Sequence, residues 1–282
     1  MHIIDAVEPL QSKIAHWKSQ GHTVGLVPTM GDLHEGHLNL VRQARAKADR
    51  LVVSIFVNPL QFGPGEDFDR YPRKPNADSG LLEKEQVDVL FTPGEVAMYP
   101  QGTQAVRQLS AGELANILCG ASRPGHFDGV ATVVNRLFEI VQPDLAVFGL
   151  KDYQQLLVIR RLVAERGLAV DILGGTTCRE ADGLAMSTRN RYLNAGERAV
   201  AAHLYAELQA VAALIKADSP ARVRILERAV ENLAAAGFRP LYFELRRVAD
   251  LAVAGEQDRD LALLAAAYLG ETRLIDNLLF SL

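Results

Sequence analysis

Cysteine is scarce: Cys119 and Cys178 are the only two in 282 residues, far apart and without a CxxC spacing. That argues against a disulfide scaffold or a zinc knuckle, and reduced thiols in a cytoplasmic compartment are the expectation. No apolar run approaches the length that spans a bilayer. The opening "MHIIDAVEPL" carries two acids and no apolar core flanked by basic residues, so it does not read as a secretory signal. Charge of one sign is missing as well. Thirty Lys and Arg against thirty-four Asp and Glu leave a net charge of -4, which recommends neither nucleic acid nor an anionic membrane as partner. Short basic pairs such as Arg160–Arg161 and Arg246–Arg247 read as solvated faces. Neither the GxxxxGK phosphate loop nor the GxGxxG dinucleotide fingerprint occurs, so any phosphate site must be of another kind.

What is present suits a folded protein: 49% of the residues are hydrophobic and 23% charged. Short runs that are apolar at nearly every position fall at 23–28, 51–57, 87–91, 145–149 and 169–173. Strands buried on both faces of a parallel sheet read this way. Between them lie helical stripes, such as Leu40, Val41, Ala44 and Ala48, then Val130, Val133, Val134, Leu137, Phe138 and Val141, then Leu156, Ile159 and Val163. This alternation predicts a Rossmann-like, doubly wound α/β sheet, with ligands beyond the carboxyl ends of its strands. After about residue 175 the pattern changes to alanine-rich helices at 195–216 and 220–236 and strands at 241–248 and 261–269. The expectation is a first domain over 1–175 and a smaller α+β domain over 176–282, closing over the site.

Four segments carry chemistry. "MGDLHEGH" (30–37) follows a strand and opens a helix, so its backbone N–H groups form an anion site reinforced by the helix dipole. Gly31 and Gly36 permit close approach of a phosphate, and His34 and His37 can donate ring N–H bonds to it. A metal pair is the alternative, but the spacing is HxxH rather than HExxH and no third ligand is obvious. A pair that merely starts a helix is another. In "FVNPLQFGPGEDFDRYPR" (56–73), Asn58 and Gln61 follow an apolar strand and could bind hydroxyls or a carboxylate, or could simply build a turn. In "FGLKDYQQLLVIRR" (148–161), Lys151 arrives at the mouth of a helix, placed to neutralise phosphate. Asp152 suits an N-cap or nucleotide contact, and Gln155 faces a cleft or solvent. In "CREADGLAMSTRNRYL" (178–193), Ser187, Thr188 and Arg189 suggest a loop that closes over a triphosphate.

Taken in order, "VPTMGDLHEGH", "SIFVNPLQFG", "RYPR", "ASRPGHFDGV", "FGLKDYQQ", "MSTRNRYL" and the ending "GETRLIDN" resemble the pantothenate synthetase family over essentially the whole chain. The resemblance implies a nucleotidyltransferase fold that shares its HxGH segment and a KMSKS-like loop with class I aminoacyl-tRNA synthetases. It implies ATP-dependent condensation of pantoate with β-alanine through pantoyl adenylate, releasing pyrophosphate and then AMP. It carries ATP binding onto Met30, Gly31, Asp32, Leu33, His34, Glu35, Gly36 and His37, onto Gly149, Leu150, Lys151 and Asp152, and onto Met186, Ser187, Thr188 and Arg189, with a backbone contact near Cys178. Pantoate falls to Gln61, Gln155 and Met30, and β-alanine to Gln61 and Asn58. Catalysis falls to His37, His34, Lys151, Ser187 and Arg189, with His37 mainly an electrophilic stabiliser. Mg²⁺ would bridge the phosphates, with Asp78 as its one candidate protein ligand, and a cytoplasmic homodimer is implied. Two positions depart from the family: Leu150 stands where a polar residue is usual, and Thr188 replaces the second serine of "SSR".

Two other readings compete. A different HxGH nucleotidyltransferase would release pyrophosphate without forming an amide, and it does not call for the paired Gln61 and Gln155. A catalytically dead nucleotide sensor would bind ATP without turnover, and it has no need of transition-state donors.

Overall fold

The computed structural model describes residues 1–217 and 222–282, so residues 220 and 221 of the expected helix 220–236 lie outside the described residues. Two compact units divide the chain. The first is Met1–Leu150 with Gln154–Thr176, and the second is Lys151–Tyr153 with Thr177–Leu282. The division therefore crosses the chain three times. Lys151–Tyr153 groups with the second unit because Asn277 donates to the Lys151 carbonyl and the Tyr153 hydroxyl donates to the Val248 carbonyl, each at 2.8 Å.

In chain order the first unit holds β1 (His2–Ile4), α1 (Val7–Ser19), β2 (Val24–Thr29), α2 (Glu35–Arg45), β3 (Arg50–Ile55), α3 (Pro75–Lys84) and β4 (Val89–Phe91). It continues with α4 (Glu95–Met98), α5 (Leu118–Ser122), α6 (His126–Val141), β5 (Leu145–Gly149), α7 (Tyr153–Arg166, but for its first residue) and β6 (Asp171–Gly175). The six strands form one sheet in the order β1-β4-β3-β2-β5-β6, every pair parallel. This is the Rossmann-like sheet the apolar runs predict. Val24, Leu26, Val27, Leu51, Val52 and Val53 are fully buried, as strands covered on both faces require. Successive strands run outward one way from β2 and the other way from β5, so the topological switch lies between those two neighbours.

Aspartates at the starts of strands fix the register. Asp49 accepts from the Thr23 N–H at 2.8 Å, Asp88 from the Leu51 N–H at 2.9 Å, and Asp144 from the Val24 N–H at 2.7 Å. Each reaches the first amides of the neighbouring strand, so a slip in register would strand a carboxylate. The Val130–Val141 stripe is buried as expected. Ala131, Thr132, Asn135 and Ile140 are buried too, so α6 is enclosed on nearly every side. Gly129 of α6 is pressed against the turn at 59–61, where an added Cβ would lie 2.2 Å from the Leu60 carbonyl oxygen.

The second unit contains α8 (Ala195–Val200), α9 (His203–Lys216), α10 (Arg222–Ala235), β7 (Arg239–Arg247), β8 (Asp260–Leu269) and β9 (Thr272–Ser281). Its strands form an antiparallel sheet in the order β7-β8-β9. Leu204, Leu208, Val211 and Ile215 of α9 are buried in one core with Leu261, Leu263 and Ala265 of β8. The expected single helix over 195–216 is instead two, the first opened by a reciprocal capping box between Asn194 and Glu197. No helix among the described residues is long and apolar enough to cross a membrane.

Gly129→Ala is expected to lower unfolding free energy by about 1–3 kcal/mol, because backbone rather than a movable side chain blocks the methyl. Urea denaturation monitored by circular dichroism measures this directly. Wild-type stability would show that the turn at 59–61 is not held by α6.

Candidate active site

The switch between β2 and β5 directs attention to the segment after β2. Thr29 Oγ1 donates to the Ser54 carbonyl (2.9 Å) and accepts from the Gly31 N–H (3.2 Å), turning the chain out of the sheet. Gly31 then sits at φ +85° and Asp32 at φ +48°. The left-handed backbone is held from outside. Asp78 of α3 is 2% exposed, and its two carboxylate oxygens accept from the Asp32 N–H (2.9 Å) and the Leu33 N–H (2.8 Å). Burial raises the Asp78 pKa above the usual carboxylate range and outweighs those two bonds, with nearby Asp32 pushing the same way and Lys74 opposing. Lys74 pairs with Asp32 at 2.9 Å. The geometry thus gives Asp78 the work of shaping the loop. Among the described residues no group of three or more His, Cys, Asp or Glu side chains could hold a metal ion.

The clamp delivers the chain to His34, the N-cap of α2. His34 Nδ1 accepts from the Gly36 N–H at 3.2 Å, and His37 Nδ1 accepts from the His34 N–H at 3.3 Å. A backbone N–H can only donate, so both neutral rings carry their proton on Nε2. The rings lie 4.1 Å apart, tilted by 38°. Both rings thus stand at the start of α2, where the helix dipole is positive. Glu35 pairs with Arg42 on the exposed face of α2, which turns its side chain to the helix surface.

The turn after β3 supplies polar amides. Gln61 Oε1 accepts from Asn58 Nδ2 (3.2 Å), and Gln61 Nε2 lies 3.1 Å from the Met30 sulfur, a weak acceptor. Asn58 is 1% exposed and fully engaged. It also donates to the Gly129 carbonyl (3.1 Å) and accepts from the Leu60 N–H (3.3 Å) and the Tyr99 hydroxyl (2.8 Å). Asn58 is therefore fitted to hold Gln61 in place. Behind Gln61 lies a network for which sequence reasoning gave no role. Arg123 forms a bidentate pair with Glu66 (2.6 and 2.7 Å) and donates to His126 Nε2 (2.9 Å). Since arginine only donates, His126 carries its proton on Nδ1 and gives it to the Gln61 carbonyl at 2.8 Å. Burial disfavours the charge on Glu66, yet the Arg123 guanidinium and the Gly63 N–H hold its carboxyl below the usual range. The signal was there in "ASRPGHFDGV", but no local pattern links it to Gln61, more than sixty residues earlier.

After β5 the chain passes Gly149 and Leu150. The Leu150 side chain lies over Gly174 of β6, where an added Cβ would come 2.9 Å from it, so it serves apolar packing. The two glutamines of "KDYQQ" divide their duties. Gln154 is buried, accepting from the Cys119 N–H (3.1 Å) and donating to the Leu114 (2.7 Å) and Ile117 (2.8 Å) carbonyls. The Gln155 side chain is half-buried, with no hydrogen-bond partner among the described residues.

In the second unit Lys151 Nζ donates to the Met186 carbonyl at 3.1 Å, and the Met186 N–H donates to the Cys178 carbonyl at 3.0 Å. Ser187 caps the turn Thr188–Tyr192, its hydroxyl accepting from the Arg189 N–H at 3.3 Å, and Thr188 is buried. The Lys151 ammonium is desolvated, which pushes its pKa down. Asp152 and Asp276 oppose that, and Arg189 and Arg179 add to it. Asp152 itself is exposed.

The parallel sheet thus carries a histidine-capped helix after its switch strand β2, and a lysine follows the end of the neighbouring β5 by two residues. The model of the pantoate–β-alanine ligase family matches residues 2–279, and the chain belongs to that family, whose members join pantoate to β-alanine. It is 50% identical over 281 residues to the pantothenate synthetase of Shewanella amazonensis, covering 100% of both chains. The crystal structure of pantothenate synthetase from Thermus thermophilus superposes with a TM-score of 0.91 at 44% identity, covering 99% of each chain. The pantoate–β-alanine ligase of Francisella tularensis, crystallised with βγ ATP and β-alanine, superposes at 0.82 with 34% identity, covering 99% of this chain and 97% of that one.

Asp78→Asn keeps the shape but replaces one acceptor by a donor facing a backbone N–H. The expected result is a loss of about 1–3 kcal/mol in stability, with ATP KM raised. Calorimetry and steady-state kinetics check both, and unchanged values would mean that the 31–33 loop does not need its clamp.

Proposed function

We propose that this ligase activates pantoate by adenylation with ATP and then passes the acyl group to β-alanine. The observation that carries the reading is the histidine pair at the start of α2, with both Nδ1 atoms occupied by backbone N–H groups and both protons therefore on Nε2. In the first step a pantoate carboxylate oxygen attacks the α-phosphorus, and the bond to the bridging oxygen breaks to release pyrophosphate. Negative charge spreads over the phosphoryl oxygens, and His34, His37 and the amides of α2 in one unit, with Lys151, Ser187 and Arg189 in the other, are the donors suited to it. In the second step the β-alanine nitrogen attacks the acyl carbon, the bond to AMP breaks, and the nitrogen sheds its proton. Activation is needed because a carboxylate oxygen is a poor leaving group and AMP is a good one.

Gln61 and Gln155 bind pantoate in this reading, with the Met30 side chain beside Gln61, and Gln61 also meets β-alanine. Asn58 acts through Gln61. The complex of the Francisella ligase with βγ ATP and β-alanine supports both ligands for this chain. Mg²⁺ fits as a partner of the phosphates rather than of a protein cage, since both Asp78 oxygens already accept backbone N–H bonds. It would neutralise phosphate charge there. A homodimer in the cytoplasm completes the reading, and light scattering of the purified protein tests the dimer.

An AMP-release assay that omits ATP, Mg²⁺, pantoate or β-alanine in turn is the first test. AMP is expected only with all four, together with pantothenate by mass spectrometry. ATP binding without AMP would leave a nucleotide-binding fold and remove the activity. His37→Ala is expected to cost on the order of a hundredfold in pyrophosphate release, about 3 kcal/mol for one donor, with the fold intact by circular dichroism. Near wild-type turnover would sink its role.

Lys151 adds a pH dependence whose sign is fixed. Its folded pKa is lowered, so it loses its charge at a lower pH than an ordinary lysine, which titrates at about 10.4. kcat/KM for ATP should therefore fall on the alkaline side before an ordinary lysine titrates. Lys151→Arg, which does not titrate there, should lack that limb. Identical alkaline profiles in the two proteins would remove Lys151 from phosphate binding.

A further inference from the structure

The ending "GETRLIDN" places Asp276 and Asn277 side by side in β9, and the proposed reaction gives neither a part. Both residue types are depleted in strands, and both are buried here, 4% and 7% exposed. Buried polar groups need partners, and theirs are informative. Asn277 Nδ2 donates to the Lys151 carbonyl at 2.8 Å. Asp276 takes both arms of Arg179, at 2.6 and 3.0 Å, and its Oδ1 also accepts the Asn277 N–H at 2.8 Å. Arg179 is fixed further by its bond to the Gly183 carbonyl (3.1 Å) and by lying over the Tyr205 ring at 3.3 Å.

These contacts close a circuit within the second unit. Asn277 holds the Lys151 backbone, and the Lys151 ammonium holds the Met186 carbonyl (3.1 Å). The Met186 N–H holds the Cys178 carbonyl (3.0 Å), and the next residue, Arg179, returns to Asp276. Three separate stretches of sequence meet in it: the segment after β5, the 178–189 loop and the C-terminal strand. We propose that Asp276 and Asn277 are positioning residues for adenylation, holding the Lys151 backbone and the loop that carries Ser187 and Arg189 in one fixed arrangement. Neither touches substrate in this scheme; they act through Lys151 and the loop. The proposal rests on the reading of Lys151 as a phosphate donor, and an error of a single ångström in such a donor is costly in rate.

A double-mutant cycle on the full-length enzyme tests it, with adenylation followed as pantoate-dependent pyrophosphate release. The β-alanine step is followed separately from supplied pantoyl adenylate. Asn277→Ala is expected to slow adenylation on the order of 10- to 100-fold and to fall in the same half-reaction as Lys151→Ala. Added to Lys151→Ala, it should cause little further loss, because the group it positions is gone. A full additional loss in that background overturns the proposal, as does an equal fall in both half-reactions with a lowered Tm. Should Asn277→Ala not fold, Asn277→Asp keeps the shape, removes the donor and is read the same way. Wild-type adenylation in Lys151→Ala alone would instead overturn the role of Lys151, and this proposal with it.

Discussion

A buried carboxylate shared between two backbone amides is the interaction on which the turn after β2 and the start of α2 depend. Asp78 meets the Asp32 and Leu33 N–H groups from a different helix, and so holds in place a turn in which Gly31 and Asp32 both adopt left-handed backbone conformations. Without that hold, the chain leaving β2 has no reason to turn sharply enough for His34 to cap α2. The cap in turn decides which nitrogen of each ring bears its proton. Burial raises the energy of the ionised carboxylate, and the two amides that engage its oxygens offset part of that cost.

The two ends of the parallel sheet have separate tasks. At the ends where the strands begin, Asp49, Asp88 and Asp144 tie neighbouring strands together through their first amides. At the ends where they finish, the chain forms polar turns held by other residues: the Gln61 side chain by Asn58, its backbone carbonyl by the Arg123–His126 pair, and the His34–His37 capping box by the clamped loop. Register fixed at one end makes the positions reproducible at the other. The histidines illustrate the economy. His34 and His37 take backbone donors on Nδ1, whereas His126 gives its Nδ1 proton to a carbonyl, and the difference comes wholly from what each ring faces.

Much of this was legible from the residues. β2, β3 and β5 declare themselves because strands covered on both faces are apolar throughout, and the α6 stripe is buried as its spacing requires. The sheet itself and its chemistry-bearing ends follow from the alternation. β1 does not declare itself, being three residues long and at the sheet edge, nor does β9, where Asp276 and Asn277 interrupt the apolar pattern. The break between α8 and α9 has neither glycine nor proline to mark it. Within the candidate site, residue type picks out polar side chains but not which of them the protein itself engages. Asn58 and Gln61 look alike as amides, and so do Gln154 and Gln155. Only three-dimensional contacts reveal that the first of each pair is consumed by the protein. The role of Arg123 and His126 lies in tertiary contacts with Glu66 and Gln61, which no local spacing encodes.

The chain passes between its units at 150–151, at 153–154 and at 176–177. A unit joined to its neighbour by one peptide can be exchanged between genes as a cassette. This one cannot. A fusion cut near residue 176 would carry Asn277 away from the Lys151 carbonyl to which it donates. The two units are therefore expected to have been inherited together, and recombination within the family should leave the span from 151 to 282 travelling as one block, helix α7 and strand β6 included.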